Sequence, residues 1–135
     1  MSAARGIRRA YDHRLEELGL NLSEASLLAF VAESGPSMQA DLARHLGVGK
    51  AAMGSLVDAL ESRNLVERCP KPDDRRVWLV SITRAGQHMA DRIAKIDGRL
   101  RAELRQGISR KERRELNQLL TRLAGNIRKV IDQED

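Results

Sequence analysis

The stretch Leu65-Val66-Glu67-Arg68-Cys69-Pro70-Lys71-Pro72-Asp73-Asp74-Arg75-Arg76-Val77-Trp78-Leu79-Val80-Ser81-Ile82-Thr83-Arg84 decides the fold. Two β-prone runs, residues 65–69 and 77–82, flank a tip holding Pro70, Pro72 and the pair Asp73-Asp74. Those tip residues turn a chain rather than pair it, so the pattern predicts a β-hairpin. Its tip ends in Arg75-Arg76. Two adjacent guanidiniums on a turn suit the phosphate-lined minor groove of a duplex better than they suit a bare reversal of the chain.

The residues ahead of the hairpin sharpen that reading. Ser37-Met38-Gln39-Ala40-Asp41-Leu42-Ala43-Arg44-His45-Leu46 opens with a serine placed to cap a helix after Pro36, and Met38, Leu42, Ala43 and Leu46 share one helical face. Gly47 stops it. After the turn Gly47-Val48-Gly49, a second helix is predicted over about residues 50–63, with Met53, Leu56, Val57 and Leu60 as its apolar stripe. Two short helices about a tight turn, followed by a basic hairpin, spell a winged helix-turn-helix. In that motif the N-terminal part of the second helix meets base edges in the major groove, which makes Lys50, Ala51, Ala52, Gly54 and Ser55 the candidate readers.

Composition is consistent with this. The chain has 135 residues, about one domain, and a net charge of +5 that suits a polyanionic partner. The excess is not confined to the reading head: residues 38–84 hold eight Lys/Arg against six Asp/Glu, and residues 85–135 hold twelve against eight. No basic start joins an apolar run of secretory length and nothing approaches a membrane span, so a cytoplasmic protein is expected. A single cysteine, Cys69, excludes an internal disulfide. Tyr11, Phe30 and Trp78 are the only aromatics, too few for the stacking platforms of single-strand binders, so duplex DNA is the better target.

The remaining segments read as helices. Residues 4–18 carry Ile7, Tyr11, Leu15 and Leu18 on one face and end at Gly19. Residues 23–34, capped by Asn21 or Ser23 and closed by Gly35-Pro36, form the next. From Thr83, a stripe of Ala85, Met89, Ile93, Ile96, Leu100 and Leu104 runs to a break at Gly107. Ser109-Arg110-Lys111-Glu112 is a capping box, and Leu116, Leu119, Leu120, Leu123, Ile127, Val130 and Ile131 form a second stripe. A chain this short has little with which to cover such stripes, and the simplest cover is a second copy. The expected fold class is therefore mainly α (α+β). Residues 1–20 and 105–135 are expected to be dimerisation helices, 21–84 the winged helix-turn-helix with its wing at about 69–76, and 85–104 a long connecting helix.

At this point the chain resembles the MarR family of bacterial transcription regulators over nearly its whole length. The resemblance rests on Gly19-Leu20, the run from Leu42 to Val48, the run from Leu56 to Glu61, Leu65-Val66-Glu67-Arg68, Asp73-Asp74-Arg75-Arg76 and Ile82-Thr83-Arg84-Ala85-Gly86. The run from Arg9 to Leu20 is most similar to the SlyA-type branch. The resemblance implies an obligate homodimer with interlocked terminal helices, bound to a palindromic operator. It also implies a minor-groove role for the wing residues Lys71, Asp74, Arg75 and Arg76, in which Arg76 enters the groove and Asp74 orients it. Asp58 and Arg68 fall on positions that resemble a structural ion pair. One departure is plain: relatives commonly place Ser or Thr and an Arg where this chain has Ala52, Gly54 and Ser55, so a bidentate arginine grip on guanine is missing and more weight falls on the wing, Lys50 and DNA shape.

The family's effectors, as the resemblance implies, are small phenolic or aromatic carboxylate molecules, and Arg9, Tyr11, Arg84, His88 and Arg92 are the candidates for an anion-accepting crevice. Cys69 lies on the wing strand, not on the first helix where the redox-sensing branch keeps its cysteine. His13, His45 and His88 sit on separate elements with no second ligand at i+3 or i+4, so neither a metal nor another cofactor is expected. A repressor released by such an effector is the expected function. Two other readings fit the same residues, a winged-helix module for protein interaction and a redox-sensing regulator using Cys69. An enzyme is not expected, since the chain has no glycine-rich phosphate loop, nucleophile elbow or paired-carboxylate constellation.

Overall fold

The computed structural model describes residues 2–134. Helix α1, Ala3–Leu15, starts where the Ser2 side chain accepts a hydrogen bond from the Arg5 backbone N–H and runs into a 3-10 turn, Glu16–Leu18. Gly19, at φ 68°, reverses the chain in a left-handed conformation that a side chain disfavours. Helix α2, Leu22–Ser34, opens with a full capping box: the Asn21 side chain accepts from the Glu24 N–H at 2.9 Å and the Glu24 carboxylate accepts from the Asn21 N–H at 3.0 Å. Asn21, not Ser23, is thus the cap. Asp12 of α1 takes a further free N–H of this helix, that of Leu22, at 2.7 Å.

Strand β1, Ser37–Met38, precedes helix α3, Gln39–Leu46, and helix α4, Lys50–Ser62. The helix expected with Ser37 as its cap therefore begins one residue later, with Met38 in the cap position, and Ser37 caps nothing: its hydroxyl donates to the Gly35 carbonyl at 2.9 Å. The reason lies across the sheet. Ser37 and Met38 pair with Val80 and Leu79, covering an edge whose backbone groups otherwise lack partners.

Strands β2, Val66–Lys71, and β3, Asp74–Ile82, form the hairpin, and the sheet order is β1-β3-β2. Their antiparallel ladder runs regularly from Val66↔Ile82 to Pro70↔Trp78, then shifts register before Lys71↔Asp74. The strands reach closer to the tip than the residue types predict. Pro70 and Asp74 are paired, only Pro72 and Asp73 lie outside the strands, and Arg75 and Arg76 belong to β3. Because β2 is an edge strand, Pro70 leaves no neighbour wanting its missing N–H.

Helix α5 spans Arg84–Leu104 and helix α6 Arg110–Glu134. Residues 1–100 form one compact unit and residues 101–135 a second. The core of the first unit joins Leu15 and Leu18 to Leu27, Leu28 and Val31 of α2, Leu42 of α3, Met53, Val57 and Leu60 of α4, Val66 and Val80 of the sheet, and Ile93 of α5. Each fully buried Leu or Val there contributes about 1.5–3 kcal/mol. Gly86 is required at the crossing of α5 over the start of the hairpin, since a Cβ would stand 2.0 Å from the Leu65 carbonyl oxygen.

In the second unit Gly107, at φ 78°, turns the chain. The Ser109 hydroxyl accepts from the Glu112 N–H and the Glu112 carboxylate from the Ser109 N–H, closing the expected capping box at the start of α6. The Ser109 backbone N–H foremost, and the Ser109 side chain after it, hold the Glu112 carboxyl below its ordinary pKa. Leu116, Leu119, Leu120, Leu123, Ile127, Val130 and Ile131 of α6 are each 49–58% exposed in the single chain. Among the described residues, no helix is long and apolar enough to cross a membrane.

Candidate nucleic-acid interface

The geometry of the helix-turn-helix follows from its glycines and its buried stripe. Gly47, at φ 66°, closes α3 by donating its N–H to the Ala43 and Arg44 carbonyls, and the Val48 N–H bonds the Ala43 carbonyl. Helix α4 then turns Met53, Val57 and Leu60 into the core, which leaves Lys50, Ala51, Ala52 and Ser55 exposed. Gly54 is different. It is half-buried, and a Cβ there would touch the Gln39 side chain at 3.5 Å, so it faces α3 rather than open solvent.

At the wing, Asp74 Oδ1 accepts two hydrogen bonds from one residue, from the Arg76 backbone N–H at 3.1 Å and from Arg76 Nε at 3.2 Å. The Arg76 side chain is 91% exposed. The aspartate holds the stem through Nε, and the exposed guanidinium offers its terminal nitrogens to phosphate or base-edge acceptors. Lys71 Nζ stands 3.8 Å from Asp73 across the tip, and Arg75 is exposed.

Wing and helices are tied by one residue. Arg68 of β2 donates from Nη2 to Asp58 and from Nη1 to Glu61 of α4, both at 2.8 Å, and reaches Gln39 of α3 at 3.4 Å. Its backbone N–H also bonds Glu61, at 3.1 Å. The tie therefore has four members, of which residue-type reasoning names only Asp58 and Arg68. Glu61 sits three residues after Asp58, on the same helical face, and that i, i+3 carboxylate pair is the available signal. At the base of the hairpin Thr83 Oγ1 donates to the Asn64 carbonyl at 2.7 Å and accepts from the Gly86 N–H, anchoring the start of α5.

The five residues expected to line an effector crevice do not come together. A cavity of about 270 Å³ does open between α1, α2 and α5, lined by Leu15, Leu22, Ala25, Ala29, Ala90, Ile93, Ala94 and Ile96 with Tyr11, Ser26 and Asp97 as its polar members. Tyr11 alone of the five contributes, and its hydroxyl donates to Asp97 at 2.6 Å. Helical geometry explains the rest. Arg84, His88 and Arg92, spaced by four, run along the exposed face of α5 opposite Ala90, Ile93 and Asp97, and Arg9, two residues from Tyr11, points away from it. Arg9 instead borders a shallow hollow with Asp12, His13 and Glu16.

Cys69 is half-buried on β2, opposite Leu79. His13, His45 and His88 lie on α1, α3 and α5, and the ring of His45 stacks on Phe30 at 3.9 Å. Among the described residues no group of three or more His, Cys, Asp or Glu is placed to hold a metal ion.

A family model described as the MarR family matches residues 18–77. The uncharacterized HTH-type transcriptional regulator YdgJ of Bacillus subtilis (strain 168) is 30% identical over 112 residues, 83% of this chain and 68% of that protein. A solved structure of a mutant MarR from E. coli complexed with operator DNA is 25% identical, with a TM-score of 0.82 over 89% of this chain and 86% of its own. CouR from Rhodococcus jostii RHA1, solved bound to p-coumaroyl-CoA, is also 25% identical, with a TM-score of 0.82 over 90% and 85% of the two chains.

Proposed function

The chain belongs to the MarR family of transcriptional regulators, and on that premise we propose that two copies bind a palindromic DNA operator and repress transcription until a small aromatic molecule releases them. The observation that carries the DNA reading is the pairing of an outward-facing α4 N-terminus with a wing whose Arg76 fork is held by Asp74. A relative of the same fold is bound to operator DNA. Lys50, Ala51, Ala52 and Ser55 enter the major groove, Arg76 enters the minor groove, and Lys71 and Arg75 neutralise flanking phosphates. With no arginine on the exposed turn of α4, base discrimination rests on thymine methyls, on Ser55 and on groove shape. Asp58 and Arg68 act as scaffold.

The dimer reading rests on α6. Seven large apolar residues at spacings of three, one, three, four, three and one stand about half exposed over its length. A stripe of that extent is covered by another helix, and a twofold copy supplies one while setting two reading heads against half-sites about 34 Å apart. Residues 1–20 and 105–135 form the dimerisation region, residues 21–84 the reading head, and 85–104 the link between them.

The effector site is the cavity beside Tyr11. Its lining carries no Lys or Arg, so the aromatic ligand enters with an uncharged face and its hydroxyl group meets Tyr11, Ser26 or Asp97. This replaces the aromatic carboxylate expected from the sequence with a neutral phenol or phenolic ester. Bound ligand acts on DNA affinity by holding α5 away from its DNA-competent position, a coupling of about 1–3 kcal/mol. The test is selection of duplexes from a random pool, followed by titration of a selected duplex at several salt concentrations with and without neutral phenols. A palindromic consensus, steep loss of affinity with salt and release by phenols support the proposal. Affinity indifferent to salt overturns the DNA reading.

A further inference from the structure

Trp78 is the only tryptophan of the chain and stands 55% exposed on β3. The other two aromatics are packed against the core. In the regular part of the ladder Trp78 lies opposite Pro70, and two residues along the strand Val80 lies opposite Arg68, so all four share one face of the sheet. That face looks onto the helix-turn-helix, since Arg68 reaches from it to Asp58, Glu61 and Gln39. Val80 is buried there. Trp78 is one step, about 7 Å, further out. It lies past the core and short of the tip that carries Lys71, Arg75 and Arg76.

We propose that Trp78 is a DNA-contacting residue of the wing, its indole lying against the deoxyribose-phosphate backbone beside the groove that Arg76 enters. The proposal rests on the DNA reading above and goes beyond its arginines. Charge complementarity selects the occupant: the tip beyond Trp78 carries Lys71, Arg75 and Arg76 against Asp73 and Asp74, a net positive end that attracts a polyanion and repels a basic partner. Indole suits a sugar-phosphate strand, because its apolar face covers deoxyribose while Nε1–H donates to a phosphate oxygen. Pro70 is its cross-strand partner in the ladder. The contact carries no base information. It adds affinity on every sequence and sets how closely the wing approaches the backbone.

Because there is one tryptophan, its emission reports this contact directly. The full-length protein is titrated with a dye-labelled selected duplex and with a mixed-sequence duplex, following label anisotropy for binding and tryptophan emission with acrylamide quenching for the contact. Emission is expected to shift and quenching to fall in step with anisotropy. Trp78→Ala is expected to weaken both duplexes by roughly five- to tenfold, the lower range for one aromatic stacking contact. It removes no charge, so the salt slope stays as in the parent, while Trp78→Phe recovers part of the loss and guards against a folding defect. Saturating anisotropy with unmoved emission and quenching overturns the proposal, as does Trp78→Ala binding within twofold of the parent. Quenching protection that follows protein concentration instead of duplex also overturns it, by making a second copy the occupant. If neither duplex raises the anisotropy, the DNA reading itself fails and this contact fails with it.

Discussion

Arg68, on the first strand of the wing, holds Asp58 of the proposed recognition helix through a 2.8 Å hydrogen bond, while its other terminal nitrogen holds Glu61 one turn further on. The guanidinium is 26% exposed, so it acts as a partly buried clamp between the two elements that would enter neighbouring grooves. A bidentate clamp of this kind sets an angle as well as a distance. Arg68→Ala is expected to lower stability by about 1 kcal/mol, because Asp58 itself is well exposed and its share is screened. DNA affinity should fall by more than that stability loss explains, and Arg68→Lys should restore stability better than affinity. Urea unfolding and anisotropy titrations on the same preparations separate the two.

At the wing tip, Arg76→Ala should cost about 1–3 kcal/mol of DNA affinity with fold and assembly intact. Asp74→Ala should weaken binding as well, although it removes a negative charge, because Asp74 Oδ1 holds both the backbone and Nε of Arg76. A gel-shift titration in which Asp74→Ala binds more tightly than the parent would assign Asp74 a merely repulsive role.

The exposed stripe of α6 predicts assembly. Leu119→Glu or Leu123→Glu, each at a position more than half exposed in the single chain, should leave that chain folded and shift it to monomer. Sedimentation velocity gives the oligomeric state, and operator affinity should drop with it, since one reading head loses the second half-site. A monomeric variant that still binds a palindrome at full strength would refute the coupling.

Glu112 supplies a pH dependence of known sign. Its pKa is lowered from an ordinary 4.5 by the bonds to Ser109, so the folded state binds the proton less readily than the unfolded chain. The contribution is fully present above 4.5 and disappears as pH falls through the lowered value. Circular dichroism across that window should show helix content falling with pH, and Glu112→Gln, which cannot titrate, should flatten the curve. An unchanged curve for Glu112→Gln would exclude Glu112 as its cause.

Filling the cavity should separate sensing from binding. Ala94 lines the cavity but is exposed, so Ala94→Phe places a ring there without loading the core. DNA affinity is expected to stay within twofold of the parent, and the response to neutral phenols to disappear. Calorimetry that still detects phenol binding to Ala94→Phe would move the effector site elsewhere.

What the sequence determined by itself was everything governed by local rules. The hydrophobic periods place α3, α4 and α6, Gly47 and Gly107 mark reversals that need left-handed backbone, and the Ser109–Glu112 spacing marks a cap. The proline- and aspartate-rich tip marks the hairpin. The tertiary structure decided whatever depended on a partner distant in the chain. Ser37 has the residue type of a helix cap, but β3 draws it into a strand through pairing with Val80. Arg9, Arg84, His88 and Arg92 have the charges of an anion site, but helical phase turns them away from the cavity that Tyr11 and Asp97 share. Glu61 and Gln39 join Arg68 only because β2 folds back over α4 and α3. Residue type and spacing carry information over one or two helical turns, whereas which face meets which element depends on how the whole core packs.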